Sequence, residues 1–408
     1  MTKIYIKIIL SVFFIGKISA QTINMGEMSI LPGTEFATVG DFDNNLTGDF
    51  VNDGEFIVYS NYNNDGLVTF NPNETSGLTY FKGSRSAQVI SGNEISEFNN
   101  VRFENAAAQP AFLLSGTISV FGTSDFNKGI VSNSDLGGNF IFESDAVHHH
   151  VNDDSHVDGY VEHKGNNKFE FPIGSGGYFR PASINNFGSY KSSFKSKYVL
   201  ENSNNLHPHS QKDDLITLIN SNEYWVLDSN ETTVDMALTL SYNNSTAPAE
   251  LVKEDADYTL SIVSWDDTES KWKQYASAVD YQNEIVTAAV DKAGIFTLAK
   301  VRIPAVDDIV VYNAMSPNGD GLNDYFNITG LEKFPENSLE IFNRYGVKVF
   351  ETNNYGKDGN WFRGISEGRV TVNKGAGLPT GTYFYVLKFK MTDGKYKDKA
   401  GYLYINSD

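Results

Sequence analysis

Imidazole and carboxylate side chains are concentrated in one short segment of this chain of 408 residues. Five of the seven histidines lie between His148 and His163, in the run Val147-His-His-His-Val-Asn-Asp-Asp-Ser-His-Val-Asp158 and just beyond it. At this density such side chains can bind zinc or copper, and imidazoles titrate near neutral pH. His148, His150 and His156 are the candidate zinc ligands. Because neighbouring residues of a strand point to opposite faces, whereas a closed site needs converging ligands, we favour a solvated connector between two regions.

Two loops rich in Asp and Asn place oxygen ligands at alternate positions, as calcium loops do. They are Asp41-Phe-Asp-Asn-Asn45 and Asn318-Gly-Asp-Gly-Leu-Asn-Asp324. Neither contains the twelve-residue loop that ends in a bidentate Glu. Asp320 and Asp324 are therefore regarded as turn caps, with calcium ligation as the less favoured alternative, and the sequence predicts no other cofactor.

The sequence contains none of the local signatures of common enzymes. A Gly-x-Ser-x-Gly elbow, a His-Glu-x-x-His pair, a Walker loop and a dinucleotide fingerprint are all absent. Gly174-Ser-Gly-Gly177 is rich in glycine but leads into an aromatic strand, so it predicts a turn. Two catalytic carboxylates of a glycosidase would leave no local motif. We therefore predict no catalytic residues and no enzymatic activity.

The N-terminal residues have the pattern of a secretion signal. Lys3 and Lys7 precede an apolar run from Ile8 to Ile15, and small residues precede Gln21. This pattern predicts a signal peptide over residues 1–20, with a run too short to span a membrane.

Charge and cysteine content limit the function further. Removal of the signal peptide, which carries three lysines and no acid, would change the formal charge from −19 to −22. Such an acidic chain argues against nucleic acid as a partner. The absence of cysteine excludes a disulfide framework and thiolate metal sites.

Residues 21–164 predict an all-β region of short strands. Apolar segments recur about every ten residues between Asn and Gly, which is typical of a sandwich, a barrel or a solenoid. Phe98-Asn-Asn-Val-Arg-Phe-Glu104, Leu114-Ser-Gly-Thr-Ile-Ser-Val120 and Phe126-Asn-Lys-Gly-Ile-Val131 look like successive rungs of a parallel β-helix. No exact repeat period is visible, so a β-solenoid and a plain sandwich both stay open.

Residues 165–303 predict a second β region. About five alternating segments, among them Met236-Ala-Leu-Thr-Leu-Ser-Tyr242, indicate a middle β-sandwich of immunoglobulin-like character. Trp225, Trp265 and Trp272 are predicted core residues rather than an aromatic carbohydrate platform.

Residues 304–408 contain an ordered series of turns and strands. Asn318-Gly-Asp-Gly321 is a turn in which both glycines can adopt positive φ. Leu339-Glu-Ile-Phe342 and Val347-Lys-Val-Phe350 flank Asn343-Arg-Tyr-Gly346, which predicts a β-hairpin. With the alternating terminal strands, these motifs indicate an immunoglobulin-like antiparallel β-sandwich of about seven strands.

The same motifs, in this order, resemble the gliding-motility-associated C-terminal domain, the type B sorting module of the type IX secretion system of the Bacteroidetes. The chain differs in having Tyr345 where the family often has Trp, and in one additional residue within Trp361-Phe-Arg-Gly364. The residues that match the family motifs are Pro317, Asn318, Gly319, Asp320, Gly321, Asn323, Asp324, Asn343, Arg344, Gly346, Trp361, Pro379, Gly381 and Tyr383.

This resemblance implies export through the outer membrane to the cell surface or the extracellular space. The implied partners are the type IX secretion translocon and an outer-membrane protein of the PorP and SprF-like group. Residues 21–303 would then act in adhesion, gliding motility or assembly of a surface filament, with other surface adhesin subunits or a polysaccharide as further partners. The alternative is a secreted protein that binds or cleaves carbohydrate. An exposed row of aromatic residues would favour the alternative, and a polar solenoid with one apolar patch would favour a protein partner.

Overall fold

The structure, a computed structural model, describes residues 21–186, 191–231, 233–255, 257–303, 309–366, 377–391 and 394–407. The predicted signal peptide, residues 1–20, lies outside the described residues. Within the described ranges, no helix is long and apolar enough to cross a membrane. The regular elements of these ranges are almost all β-strands, with one short helix, α1 (Ala249–Val252), and 3-10 turns at Ser203–Asn205, Leu331–Lys333 and Lys357–Gly359. The predicted all-β fold is confirmed.

The N-terminal region is a β-solenoid built from three parallel sheets, and each of the first six coils contributes one strand to each sheet. The first sheet has the order β1-β4-β7-β10-β13-β16-β19-β22, the second runs β2-β5-β8-β11-β14-β17-β20, and the third runs β3-β6-β9-β12-β15-β18. The strands are β1 (Thr22–Asn24), β2 (Glu27–Ile30), β3 (Glu35–Thr38), β4 (Phe42–Asn44), β5 (Asp49–Asn52), β6 (Glu55–Val58), β7 (Tyr62–Asn64), β8 (Leu67–Thr69), β9 (Leu78–Gly83), β10 (Gln88–Ser91), β11 (Ile95–Phe98), β12 (Asn100–Asn105), β13 (Phe112–Leu114), β14 (Thr117–Val120), β15 (Thr123–Lys128), β16 (Val131–Ser132), β17 (Asn139–Phe142), β18 (Val147–His149), β19 (Val157–Asp158), β20 (Val161–Lys164), β21 (Phe169–Phe171) and β22 (Ile173–Ser175).

The coils differ in length, which explains why the sequence shows no fixed repeat. In the first sheet, Phe42 pairs with Tyr62, which is 20 residues later. Tyr62 in turn pairs with Ile90 and Ile90 with Leu114, at separations of 28 and 24 residues. The corners absorb these differences while the strands stay in register. Of the two architectures predicted for residues 21–164, the structure therefore has the solenoid.

Aromatic side chains stack along the interior of the solenoid. Phe81, Phe103 and Phe126 occupy the same inward position on three successive strands of the third sheet. Their ring centroids are 5.6 and 5.5 Å apart, and all three side chains are fully buried. Because each aromatic ring buries a large apolar area, this column forms much of the solenoid core.

Asparagines form a second internal column at a corner of the first coils. Asn24 donates from Nδ2 to Oδ1 of Asn44, and Asn44 donates likewise to Asn64, both at 2.8 Å. These bonds satisfy polar groups that would be costly to bury alone. Gly48 leaves space for the column, because a Cβ there would lie 2.1 Å from Oδ1 of Asn44. The Asn and Gly corners predicted from the sequence thus have a packing reason.

The solenoid continues directly into the middle sandwich. The last strand of its second sheet, β20, pairs antiparallel with β25, and β27, β33, β29 and β30 follow in the same sheet. The opposing sheet has the order β21-β24-β28-β32-β31, and one hydrophobic core extends through both regions. Strand β22, beyond residue 164, still belongs to the first solenoid sheet. β23 (Tyr178–Phe179) pairs antiparallel with β22 and ends that first sheet. The sandwich strands that follow are β24 (Ala182–Asn186), β25 (Ser193–Val199), β26 (Ile216–Ile219), β27 (Tyr224–Ser229), β28 (Met236–Ser241), β29 (Tyr258–Asp266), β30 (Lys271–Gln274), β31 (Ser277–Asp280), β32 (Ile285–Val290) and β33 (Gly294–Arg302).

The tryptophans of the middle sandwich lie mainly in its interior. Trp225 and Trp272 are buried, as predicted. Trp265 is only partly buried and stacks on His207, with 4.3 Å between the ring centroids.

The C-terminal region has its own hydrophobic core, centred on residues such as Phe326, Leu339 and Leu387. Its main sheet has the order β35-β40-β39-β37-β38, and β34 pairs with β36. The antiparallel prediction is wrong for one pair, because β35 runs parallel to β40. The strands are β34 (Val310–Val311), β35 (Ala314–Met315), β36 (Ile328–Thr329), β37 (Asn337–Asn343), β38 (Lys348–Asn353), β39 (Gly381–Lys390) and β40 (Tyr396–Ile405).

Candidate functional site

The loop after β35 is held by hydrogen bonds to its own carboxylates. Asp324 accepts the backbone N–H of Gly319 at 2.7 Å and that of Gly321 at 2.8 Å. Asp320 accepts the N–H of Leu322 at 2.7 Å with one oxygen and the Asn318 amide at 3.0 Å with the other. The Leu322 N–H is the main cause that lowers the pKa of Asp320. Gly319 and Gly321 have φ of 81° and 88°, so both occupy the left-handed region that glycine favours.

The same bonds bear on the calcium prediction for Asp320 and Asp324. All four of their carboxylate oxygens already accept a hydrogen bond within the loop. In the part of the chain that the structure describes, no group of three or more His, Asp or Glu side chains is arranged to hold a metal ion. The geometry is that of turn caps, and calcium binding stays a prediction.

The Asn343–Gly346 turn joins β37 to β38. The Asn343 side chain accepts the N–H groups of Tyr345 and Val347, at 2.9 and 3.0 Å. Gly346 closes the turn at a φ of 73°. The exposed ring of Tyr345 has the Arg344 guanidinium 4.7 Å and the Lys168 ammonium 5.0 Å from its centroid, which are cation–π distances.

A second motif lies beside this turn. Asn343 on β37 pairs with Tyr383 on β39, so the turn and residues 378–383 meet at one end of the sheet. The Tyr383 hydroxyl donates to the carbonyl of Pro379 at 3.0 Å. Together they form a cavity of about 340 Å³, which we call the motif cavity; its lining residues are Asn343, Arg344, Tyr345, Val349, Leu378, Pro379, Thr380, Gly381, Thr382 and Tyr383.

The loop of Pro317 adjoins the motif cavity through Gly364. A Cβ on Gly364 would lie 2.8 Å from Cγ of Pro317, so glycine permits this close contact. The carbonyl of Gly364 accepts the N–H of Leu378 at 2.7 Å. Trp361 instead packs against Tyr325 and Tyr355 and lines a separate cavity of about 300 Å³. Three of the four sequence motifs therefore gather at one end of the domain, and the tryptophan motif borders them.

The predicted zinc ligands have different partners. The His148 ring bonds to the carbonyl of Glu170 at 2.7 Å, the His150 ring to the Asp125 carboxylate at 2.6 Å and the His156 ring to the carbonyl of Asn152 at 3.0 Å. The structure does not bring the three imidazoles together, and zinc binding stays a prediction.

The histidine segment is not a solvated connector, so that interpretation is wrong. It forms β18, β19 and β20, part of the last solenoid coils. His156 and His163 are buried, and His163 stacks on Phe169 with 4.2 Å between ring centroids. Burial lowers the pKa of His148 and His156, and it lowers that of His163 to about 4. All three imidazoles therefore favour the neutral form at pH 7, and those of His156 and His163 belong to the interior.

Two residues of the middle sandwich reach the Asn343–Gly346 turn, and the sequence analysis missed both. Asn185 donates to the carbonyl of Gly346, and Lys168 lies over Tyr345. Both are more than 160 positions away in the chain from the residues they contact, and neither is part of a motif. No local sequence signal could have identified them.

Comparison with known families assigns the C-terminal region. Residues 309–405 match the CHU_C type IX secretion signal domain. No curated protein of similar sequence matches the chain. The matched range begins just before β34, ends with β40 and contains the motif cavity. Residues 309–405 are therefore a type IX secretion signal domain, and the chain is a substrate of that system, exported to the cell surface or the extracellular space.

Proposed function

We propose that the chain is a non-enzymatic surface protein that acts in adhesion, gliding motility or the assembly of a surface filament. The observation that carries this proposal is the continuous sheet and shared core that join the solenoid to the middle sandwich. A signal domain for export thus follows a continuous scaffold whose outer faces are available for contacts.

The motif cavity is the proposed contact with the secretion machinery, including an outer-membrane protein of the PorP and SprF-like group. Tyr345 is 52% exposed beside the cavity and Arg344 packs against its ring. An exposed aromatic next to a guanidinium is a common type of interface anchor. The surrounding residues of the two motifs supply a concave surface for such a partner.

For the solenoid, the lining of its cavity of about 550 Å³ supports the proposed absence of glycoside cleavage. The cavity on the solenoid has one carboxylate, that of Glu104, in its lining. Glycoside hydrolysis ordinarily uses two carboxyl groups that flank the scissile bond. At this cavity, a single carboxylate favours binding over cleavage.

The alternative function is carbohydrate binding by the secreted chain. Among the described residues of 21–164, the clearly exposed aromatic side chains are Tyr59 and Phe121. Two such residues do not make the aromatic row expected for a neutral polysaccharide. A charged sugar is favoured by a separate observation, the three cations Lys82, Arg85 and Lys128 that line one cavity of the solenoid.

Export is tested by removal of residues 304–408. The truncated chain should accumulate in the periplasm, and cell fractionation would detect it there. Tyr345→Ala together with Arg344→Ala should reduce surface exposure of the full chain, whereas Tyr402→Ala, at an exposed tyrosine outside the motif cavity, should not. Unchanged surface exposure of the truncated chain would contradict the role of residues 304–408 as the export signal.

The surface role is tested on cells that lack the gene. We expect reduced attachment to a solid surface or reduced spreading, restored by the full chain. Normal attachment and spreading of the deletion strain would contradict the proposed role and leave the export assignment intact.

A further inference from the structure

The first region is strongly acidic, yet its few cations are not dispersed. Residues 21–164 contain twenty Asp and Glu residues and five Lys and Arg residues. Three of the five cations, Lys82, Arg85 and Lys128, line one surface cavity of about 550 Å³. We call this cavity the cationic cleft; its lining residues are Tyr59, Lys82, Gly83, Ser84, Arg85, Ser86, Glu104, Ala106 and Lys128.

The other two cations of the region form ion pairs. Arg102 lies 3.2 Å from Asp125, and Lys164 lies 2.7 Å from Glu143. None of the ion pairs among the described residues includes the three cations of the cleft. Like charges placed together repel, and carboxylates are four times as abundant as cations in this region. Lys82 does lie 5.2 Å from the ring centroid of Tyr80, a contact that leaves its charge uncompensated. A cluster of cations without carboxylate partners in such surroundings indicates an anionic ligand.

The register of the third sheet arranges the cleft along the solenoid axis. Lys82 pairs with Glu104, and Glu104 pairs with Lys128, so the two lysines are two coils apart. Since neighbouring strands are spaced by about 4.8 Å, the backbones of the lysines lie about 10 Å apart. Tyr59 follows Val58, whose partner is Phe81, and thus extends the same row by one coil. The row suits a linear ligand that runs parallel to the axis.

Glu104 does not cancel the positive charge of the cleft. Its carboxylate accepts a hydrogen bond from the hydroxyl group of Tyr80 on the neighbouring strand, and this bond holds the carboxylate in place. With three cations and one carboxylate among its lining residues, the cleft has two net positive charges.

We propose that the cationic cleft binds a short oligosaccharide that carries carboxylate or sulfate groups. Lys82, Arg85 and Lys128 pair with the anionic groups, because ammonium and guanidinium groups form charge-assisted hydrogen bonds with them. Tyr59, 43% exposed, offers a ring face to a sugar, and Ser84 and Ser86 offer hydroxyl groups. A long polyanion fits less well, since the surrounding region carries fifteen net negative charges. This inference rests on the proposed surface role only for the place where the protein encounters the ligand, and not for the binding itself.

Calorimetry on the purified chain from Gln21 to Asp408 tests this site apart from export. The probes are an oligogalacturonate, a sulfated dextran of similar length and an unmodified dextran. We expect binding of at least one anionic probe, at least tenfold weaker binding of unmodified dextran, and a loss of at least tenfold in affinity when salt is raised to about 0.5 M. The carboxylated and sulfated probes distinguish the two sources of negative charge.

The double variant Lys82→Ala, Lys128→Ala should bind the anionic probe with at least tenfold lower affinity, without a change in melting temperature. The matched control is Lys164→Ala combined with Lys195→Ala, which changes the net charge equally and lies outside the cleft. Equal weakening by both pairs would show that only net charge matters and would overturn the site. The proposal would also be overturned if neither anionic probe bound, or if unmodified dextran bound with the same affinity as the anionic probes.

Discussion

Asn185 of the middle sandwich donates a hydrogen bond from Nδ2 to the main-chain oxygen of Gly346, 3.0 Å away. Phe342 and Val386 of the signal domain form a cluster beside it with Ala237 of the sandwich. The turn that carries the Asn343 motif is therefore bonded to the region that the signal domain exports. The exported middle sandwich therefore helps to fix the position of the Asn343–Gly346 turn, one of the signal motifs.

Asn185→Ala should loosen that turn. Asn185 is buried, and its loss leaves the Gly346 carbonyl without this donor, which typically costs about 1–2 kcal/mol. We expect faster amide hydrogen exchange at residues 343–347 and a lower melting temperature. Asn283→Ala, which removes an exposed bond to Asp280 within a hairpin, is the control and should leave that exchange unchanged. Unaltered exchange in Asn185→Ala would mean that the contact does not hold the turn.

His163 should make the solenoid sensitive to acid. Its pKa is lowered from 6.5 to about 4, chiefly by burial, so the unfolded chain takes up a proton at a higher pH than the folded chain does. Stability is therefore full above pH 6.5 and falls between pH 6.5 and pH 4, by on the order of 2–3 kcal/mol in total. Chemical denaturation at a series of pH values measures this loss.

His163→Phe keeps a ring that can stack on Phe169 and removes the titrating group. The variant should lose less stability than the wild type between pH 6.5 and pH 4, with the remainder due to other groups such as His148 and His156. His149→Ala, at an exposed position, should follow the wild-type curve. Identical curves for His163→Phe and the wild type would refute the assignment.

Much of the fold could be predicted from the sequence because its local signals agree with its packing. Short apolar segments separated by Asn and Gly indicate coils, and Leu114–Val120 lies on the coil next to Phe98–Glu104 as predicted. Phe126 pairs with Phe103 and so lies on the same coil as Leu114–Val120, not on a third one. The solenoid could not be separated from a sandwich because coils of 20, 28 and 24 residues hide the repeat. The parallel pairing of β35 with β40 was missed because strands of two residues carry no direction signal.

The sites were less predictable, since they depend on contacts between distant segments. The turn motifs were visible locally, because Asn, Asp and Gly have specific backbone roles there. That Asn343 and Tyr383 meet in one cavity follows from the pairing of β37 with β39. The cationic cleft was missed because Lys82 and Lys128 become neighbours only through the register of the coils.

Gly346→Val should destabilise the signal domain by about 1–3 kcal/mol, because a β-branched residue is strained at positive φ. The nearest atom to an added Cβ is 3.7 Å away, so the expected cost comes from the backbone and not from a clash. Gly346→Asn is the control, since Asn tolerates this conformation, and its effect should be clearly smaller. Gly319→Val and Gly321→Val should behave like Gly346→Val. Thermal melts of the chain would contradict the turn geometry if all the valine variants unfolded like the wild type.

Zinc should leave the melting temperature unchanged. His148, His150 and His156 are each bonded to a different partner, and a metal would have to break these bonds to gather the rings. A structural site would stabilise the native state by RT ln(1 + [L]/Kd), which is about 2.7 kcal/mol at a hundredfold excess over Kd. Thermal melts with micromolar zinc, repeated after addition of a chelator, distinguish the two cases. A chelator-reversible rise that disappears in His150→Ala combined with His156→Ala would contradict the prediction, because it would require the last solenoid coils to rearrange around the ion.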